Sequence, residues 1–412
     1  MSILIKNVDL LRDGKVLRDD ILIEGNKIAE IGRVDCEADF KISGKDRIAL
    51  PGLINMHTHL GLTLAKGLFD DVELDEFLRR TEEFDRNNKK DMIEKSAFYG
   101  IIEMLKTGTT TFFDYYYDED VVEKVAQKMG VRAILAWAVL DDDKTTQKGS
   151  PLKNCERFLN EEGKKEGRIK RAIALQGVYA CSNETILKAK DLADKKQTLI
   201  AMHLAESQAE VYSSMKACGK RPIERVASLG VIDKNFVAVH CVHVTKNEMK
   251  ELRKSTIVHC PSSNLKLADG IAPVPEAIEE RIRVTIGTDS SATNNSLDMF
   301  NEMRLTALIH KCSHWDPAIM NYEKCIEMAT VNGAKATGIN AGKIEENRLA
   351  DLVLIDKRSI FPFRPSNLVY CTRQKVDYTI VDGKLLFEDG DFCDEIKNYK
   401  KRFDLCSHPD CI

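Results

Sequence analysis

The sequence is most readily read from what it lacks. Its twelve cysteines are scattered from Cys36 to Cys411 and no two form a CxxC pair. That pattern speaks against a zinc ribbon or a redox dithiol; in a reducing compartment such cysteines are free thiols. No apolar run approaches the ~20 residues needed to cross a bilayer. The opening Met1-Ser2-Ile3-Leu4-Ile5-Lys6 lacks the basic start and apolar stretch of a secretory leader. A cytoplasmic protein with no membrane partner is therefore expected. Positive charge is not in excess: 61 Lys and Arg against 65 Asp and Glu leave −4. Without a basic stripe, nucleic acid is not an expected partner. Internal repeats and low-complexity segments are missing as well.

What is present is a globular composition, 43% hydrophobic and 31% charged over 412 residues, long enough to bury roughly three-quarters of the unfolded chain's surface. The first fifty residues read as short strands at 3–8, 21–24, 27–31 and 47–50, with Asp13-Gly14 and Gly25-Asn26 as hairpin-type turns. Strands at 350–356, 378–381 and 385–387 lie near the other end. Neither set closes a core alone, so the two ends are expected to form one small β-sandwich from residues 1–50 and 345–395, followed by a tail at 396–412. Between them, apolar segments at 50–56, 109–113, 132–138, 173–177, 199–203, 237–240, 256–259 and 284–287 alternate with amphipathic helical stretches. Eight strands alternating with helices over 51–344 predict a (β/α)8 barrel of the TIM type. A doubly wound open sheet would need a glycine-rich phosphate turn, and the sequence has none.

Several strand ends carry metal-binding side chains. His57-Thr58-His59 closes the first barrel strand, and residues i and i+2 of a strand point to one face. Alone, the pair could equally be two surface histidines at a loop mouth. However, His203 and His240 close two later strands and Asp289 follows a third. Barrel enzymes build their sites at this C-terminal end of the strands, and the recurrence predicts a metal site there.

These stretches resemble the amidohydrolase superfamily. The resemblance rests on Pro51-Gly52-Leu53-Ile54-Asn55-Met56-His57-Thr58-His59, His203-Leu204-Ala205-Glu206, His240-Cys241-Val242-His243 and Gly287-Thr288-Asp289. The run from His259-Cys260-Pro261-Ser262-Ser263-Asn264 to Leu267, and residues 294–304, are similar to the methylthioadenosine/S-adenosylhomocysteine deaminase branch, which also holds triazine chlorohydrolases. The resemblance implies His57, His59, His203 and Asp289 as metal ligands, a set suited to Zn²⁺ with Fe²⁺ as the alternative. Dinuclear relatives use a lysine on strand four. Residues 173–177 have none, so one ion per subunit is expected. It further implies that Asp289 accepts a proton from water acidified by the ion, that His240 orients this water, and that Glu206 protonates a ring nitrogen before ammonia leaves. The implied substrate is an aminated nitrogen heterocycle of the adenosine type, handled by a homo-oligomer. Alternatives on the same site are a guanine, other free-base or pterin deaminase, or a triazine-type chlorohydrolase. A barrel that has lost catalysis would be expected to lack ligands, and here the set is complete.

The substrate pocket departs from that branch. Glu83 or Asp85 could hold a ribose, but the aromatic–proline pair that usually precedes such a residue is missing. Trp137 stands where an arginine is usual and could stack on a heteroaromatic ring. Gln176 stands where a histidine is usual and could read a purine or pterin edge. His243 and His259 could brace the site, whereas His310, His314 and His408 suggest no role.

Overall fold

The structure, a computed structural model, describes residues 1–12, 15–161, 167–371 and 376–404. The turn at Asp13-Gly14 and His408 lie outside the described residues. Eight parallel strands form the barrel: β1 (Leu53–Thr58), β2 (Thr109–Tyr116), β3 (Arg132–Val139), β4 (Ile169–Leu175), β5 (Ile200–Leu204), β6 (Phe236–His240), β7 (Thr256–His259) and β8 (Arg283–Ile286). They are almost wholly buried, as a parallel sheet covered on both faces requires. Alternation within β3 shows the two faces. Ile134, Ala136 and Ala138 join Tyr115, Ala172, Ala174, Ala201, Val237 and Val239 in one core. Leu135, Trp137 and Val139 belong to the larger core beneath the helices.

The barrel closes between β8 and β1. Asp289 N–H donates to the carbonyl of His57 at 2.9 Å, and Thr58 pairs with Asp289 across the seam. Gly287 makes this approach possible: a Cβ there would lie 2.7 Å from His57 Cβ and 2.9 Å from His57 N.

The two chain ends meet in a nine-stranded, mainly antiparallel sheet. Its order is Asp391–Phe392, Lys384–Glu388, Tyr378–Val381, Leu352–Asp356, Arg47–Pro51, Ser2–Arg12, Lys15–Glu24 and Lys27–Gly32, with Phe40–Ser43 also on Ser2–Arg12. Ile3, Ile5, Ile21, Ile23, Ala49, Leu352, Leu354 and Ile380 supply its core. The apolar run at 50–56 is divided at Pro51-Gly52. Gly52 N–H still bonds Asp351 of the small sheet, while Leu53 N–H already bonds Gly108 of the barrel. Arg132 at the start of β3 ties the two sheets together through a buried pair with Asp351 at 2.8 Å, and a further one with Asp382 at 2.9 Å.

The stretch read from sequence as a tail from residue 396 begins inside a helix, Asp394–Asp404. It docks on the helix Lys90–Lys106 through Tyr399, whose hydroxyl donates to Glu94 at 2.6 Å, and through Phe403 stacked near Phe98. Among the described residues, all ten cysteines are free and no helix is long and apolar enough to cross a membrane.

Candidate metal centre and active site

The residues singled out at the strand ends come together over the C-terminal mouth of the barrel. His59 Nε2 lies 3.2 Å and His57 Nε2 3.4 Å from Asp289 Oδ1; His203 Nε2 lies 3.3 Å from His57 Nε2. The backbone holding them is unusual. Ala205, His240, Cys241 and Asp289 all adopt positive φ, between 51° and 71°, a conformation non-glycine residues rarely take and one that clusters at functional sites. These turns carry the chain abruptly from strand to loop.

The donor set fits a divalent cation. His59 donates its Nδ1–H to the carbonyl of Tyr115, and His203 donates its own to the carbonyl of Gln176 at 3.0 Å. Both Nε2 atoms thus face inward as lone pairs, the orientation metal-bound imidazoles require. Unshared lone pairs and a carboxylate oxygen repel one another at these separations unless a proton or a cation lies between them. A tetrahedral ion with arms of about 2.05 Å has ligand atoms about 3.3 Å apart, close to these three separations; His57, His59 and Asp289 form one group of close donors and His57, His203 and His240 another, with His57 shared between them.

Charge in the site follows from burial. Desolvation depresses His57 to about 3 and takes His203 well below the usual imidazole value. For His59 the same burial is outweighed by Asp289, and its value rises. Burial also works against the Asp289 carboxylate, but its interaction with the adjoining His57 and His59 rings holds it well below the ordinary range. Glu206 shows the opposite balance: desolvation, helped by the nearby Asp289 charge, pushes it up to about 8. It is therefore mostly protonated at neutral pH. Its Oε1 sits 3.4 Å from His240 Nε2, and Glu206, His240 and Asp289 form one group of mutually close donors.

Other positions separate into those that reach the site and those that do not. Gln176 directly follows β4; its carbonyl holds His203 and its amide nitrogen lies 3.3 Å from the hydroxyl of the half-exposed Tyr179. Asp85 is turned inward, accepting hydrogen bonds at its carboxylate from Tyr116 and at its carbonyl from Tyr117. Burial raises Asp85 to about 6. Glu83, two residues earlier on the helix Leu74–Asn87, faces solvent and pairs with Arg79 at 3.4 Å.

The stacking role read for Trp137 does not fit its place. In register, Ala136 pairs with Tyr115, which stacks on His203, while Trp137 pairs with Tyr116. The indole therefore points away from the lumen. It packs against Phe158 and donates to Gln147 at 2.9 Å. His259 also points away from the site, towards His310 in the helix layer. His243 joins two loops instead, its N–H donating to Ala205 at 2.9 Å. Lys170, at the opposite end of β4 from the histidines, donates to Thr337 and Gly338 carbonyls.

Sequence reasoning passed over several contributors. Asp114 accepts the Leu60 N–H at 2.7 Å and so fixes the chain directly after His59. Tyr115 lies flat on His203, with ring centroids 4.4 Å apart. Ser263 donates to Asp289 Oδ2 at 2.5 Å. The run Asp114-Tyr115-Tyr116-Tyr117, directly after the predicted strand 109–113, was the available signal.

A barrel whose strand ends gather histidines and an aspartate into clusters able to hold a divalent cation is the architecture of a class of metal-dependent hydrolases. The family model "Amidohydrolase family" matches residues 48–386, and the chain belongs to this family. It is 39% identical over 413 residues to the 5'-deoxyadenosine deaminase of Methanocaldococcus jannaschii, with 97% of each chain covered. The 5-methylthioadenosine/S-adenosylhomocysteine deaminase of Thermococcus sibiricus is 36% identical, with 94% of each covered. Among solved structures, an adenosine deaminase from Xanthomonas campestris with bound zinc aligns with a TM-score of 0.90 at 26% identity, covering 98% of both chains.

Proposed function

We propose that the protein hydrolytically deaminates adenosine-type nucleosides, with 5'-deoxyadenosine and methylthioadenosine as the substrate class. The observation that carries this reading is the position of Glu206: a protonated carboxyl on the open side of the His/Asp cluster, beside His240. The names of relatives aligned over nearly the whole chain support the same class.

One Zn²⁺ would be held by His57, His59, His203 and Asp289; the only lysine of β4, Lys170, is engaged at the far end and offers no bridge to a second ion. When bound, such an ion supplies water acidified enough to attack at neutral pH. Glu206 donates its carboxyl proton to the ring nitrogen next to the amino-bearing carbon, which makes that carbon electrophilic. His240, through Nε2, orients the attacking oxygen, and the ionised Asp289 carboxylate takes up the proton that oxygen loses. Transfer of a proton to the exocyclic nitrogen then lets the C–N bond break and ammonia leave. Asp85, turned inward where Glu83 is not, is the residue for the ribose hydroxyls, and Gln176 for an edge of the base.

The test is a panel of 5'-deoxyadenosine, methylthioadenosine, S-adenosylhomocysteine, guanine and a chlorotriazine, followed by ammonia and chloride release. Preferential ammonia release from the nucleosides is expected. Turnover confined to guanine or to the triazine would overturn the proposal.

A further inference from the structure

A proton donor must be held in one place, and the contact of Glu206 Oε1 with His240 Nε2 at 3.4 Å is longer than an ordinary hydrogen bond. The carboxyl is placed instead through its backbone. Ala205, Glu206 and Ser207 join β5 to the helix Gln208–Cys218. Ala205 turns the chain with a φ of 52°, a conformation that persists only where surrounding contacts enforce it. The carbonyls of Leu204 and Ala205 accept from the N–H groups of Cys241 and His243 at 3.1 and 2.9 Å. The Glu206 N–H, by contrast, donates to a side chain: Glu210 Oε2, at 2.8 Å.

Glu210 stands in the first turn of that helix, only 5% exposed, and its own N–H donates to the cap hydroxyl of Ser207 at 3.2 Å. A glutamate at this position ordinarily reaches back to the N–H of the cap residue itself. Thr245 and Glu248 form that arrangement elsewhere in the chain, the Thr245 N–H donating to Glu248 at 2.8 Å. Glu210 reaches one residue further, past Ser207 to Glu206. Burial, with the nearby Glu206, pushes Glu210 up to about 8, and its Oε1 is buried without a partner. The neutral carboxyl so favoured adds no second negative charge beside the donor, and its carbonyl oxygen still accepts an N–H.

We infer that Glu210 is a positioning residue for the proton donor: by accepting the Glu206 N–H it holds the turn at Ala205, and with it the Glu206 carboxyl beside the His/Asp cluster. The catalytic part of this inference rests on the deaminase reading above; the hold on the amide does not.

The test compares the zinc-loaded wild type with three variants. Glu210→Met keeps an unbranched chain without an acceptor, Glu210→Gln keeps a carbonyl oxygen, and Ser207→Ala removes the helix cap but not the bond to Glu206. On the nucleoside, kcat of Glu210→Met should fall about 10²-fold, as for a 1 Å misplacement, with KM within about threefold and the metal retained. Glu210→Gln should restore kcat to near the wild-type value. Ser207→Ala should lower the denaturant midpoint, as loss of a cap does, and leave kcat unchanged. Wild-type turnover by Glu210→Met, or an equal loss of kcat in Ser207→Ala, overturns the inference. Amide hydrogen exchange provides a readout without substrate: the Glu206 N–H should be protected in the wild type and in Glu210→Gln, and exposed to exchange in Glu210→Met. An unprotected Glu206 amide in the wild type overturns the inference even if Glu210→Met does not fold. Protection as expected without nucleoside turnover would instead count against the deaminase reading alone.

Discussion

Replacing Gly287 by alanine adds one methyl group at the seam where β8 meets β1. Gly287 does not adopt positive φ, so the backbone tolerates alanine and the effect is purely steric. The new Cβ would stand 2.7 Å from His57 Cβ, 2.9 Å from its nitrogen and 3.0 Å from its oxygen. Carbon atoms in contact prefer about 3.5–4.0 Å, so the seam must open by about 1 Å. All three atoms met are backbone or Cβ, which no rotamer change can move. The carboxylate of Asp289 is carried on β8, and His57 and His59 on β1. Their present separations of 3.4 and 3.2 Å would therefore widen, against a tolerance of about 0.2 Å in metal–ligand distance. We expect Gly287→Ala to lower metal retention after dialysis, to reduce kcat roughly 10²-fold, as a 1 Å misplacement does, and to cost about 1–3 kcal/mol of stability from overpacking. Metal content per chain, nucleoside turnover and the denaturant midpoint measure the three effects. A variant with full metal content and wild-type kcat would refute the claim that this seam sets the ligand geometry.

Glu206→Gln should retain the metal yet lose about 10²–10⁴ in kcat, the range for general acid–base help; normal turnover would remove Glu206 from the proton-donor role. Asp85→Asn should raise KM for nucleosides while Glu83→Gln, on the solvent side, leaves it unchanged, and equal effects in steady-state assays would contradict the inward placement of Asp85. Trp137→Phe should leave KM within about twofold while losing the bond to Gln147 and about 1 kcal/mol of stability; a tenfold rise in KM would mean that the indole does reach substrate. Acid stability should depend on His310, which burial holds at about 4 beside His259 and His314. The unfolded chain takes this proton near 6.5 and the folded one only near 4, so stability is lost as pH falls through that interval, by about 3 kcal/mol at its lower end. His310→Leu should move the acid unfolding midpoint to lower pH relative to wild type, and an unmoved midpoint would count against the mechanism.

Much of this molecule is legible one segment at a time. Strand–helix alternation, the i, i+2 pairing of His57 and His59, and the placement of His203, His240 and Asp289 at the ends of apolar segments all follow from local periodicity and steric preference, which neighbouring residues set among themselves. Those features were enough to anticipate the barrel, the β sheet shared by both ends, and the convergence of histidine and aspartate side chains on one cluster. The choice between Glu83 and Asp85 was not legible, because a charged helix stretch does not reveal which carboxylate faces inward. Trp137 was misread for a related reason: a one-residue change in parity carries a strand side chain to the opposite face, and here the pairing of Ala136 with Tyr115 decides it.

The sequence alone therefore determined which chemical groups were available and which strand ends would carry them. Only the tertiary structure decided how they are used: the approach of Gly287 to His57, the hydroxyl of Ser263 on Asp289, and the desolvation that keeps Glu206 protonated. Each depends on atoms brought together across long stretches of chain, where distance and dielectric are properties of the closed barrel and not of any segment within it.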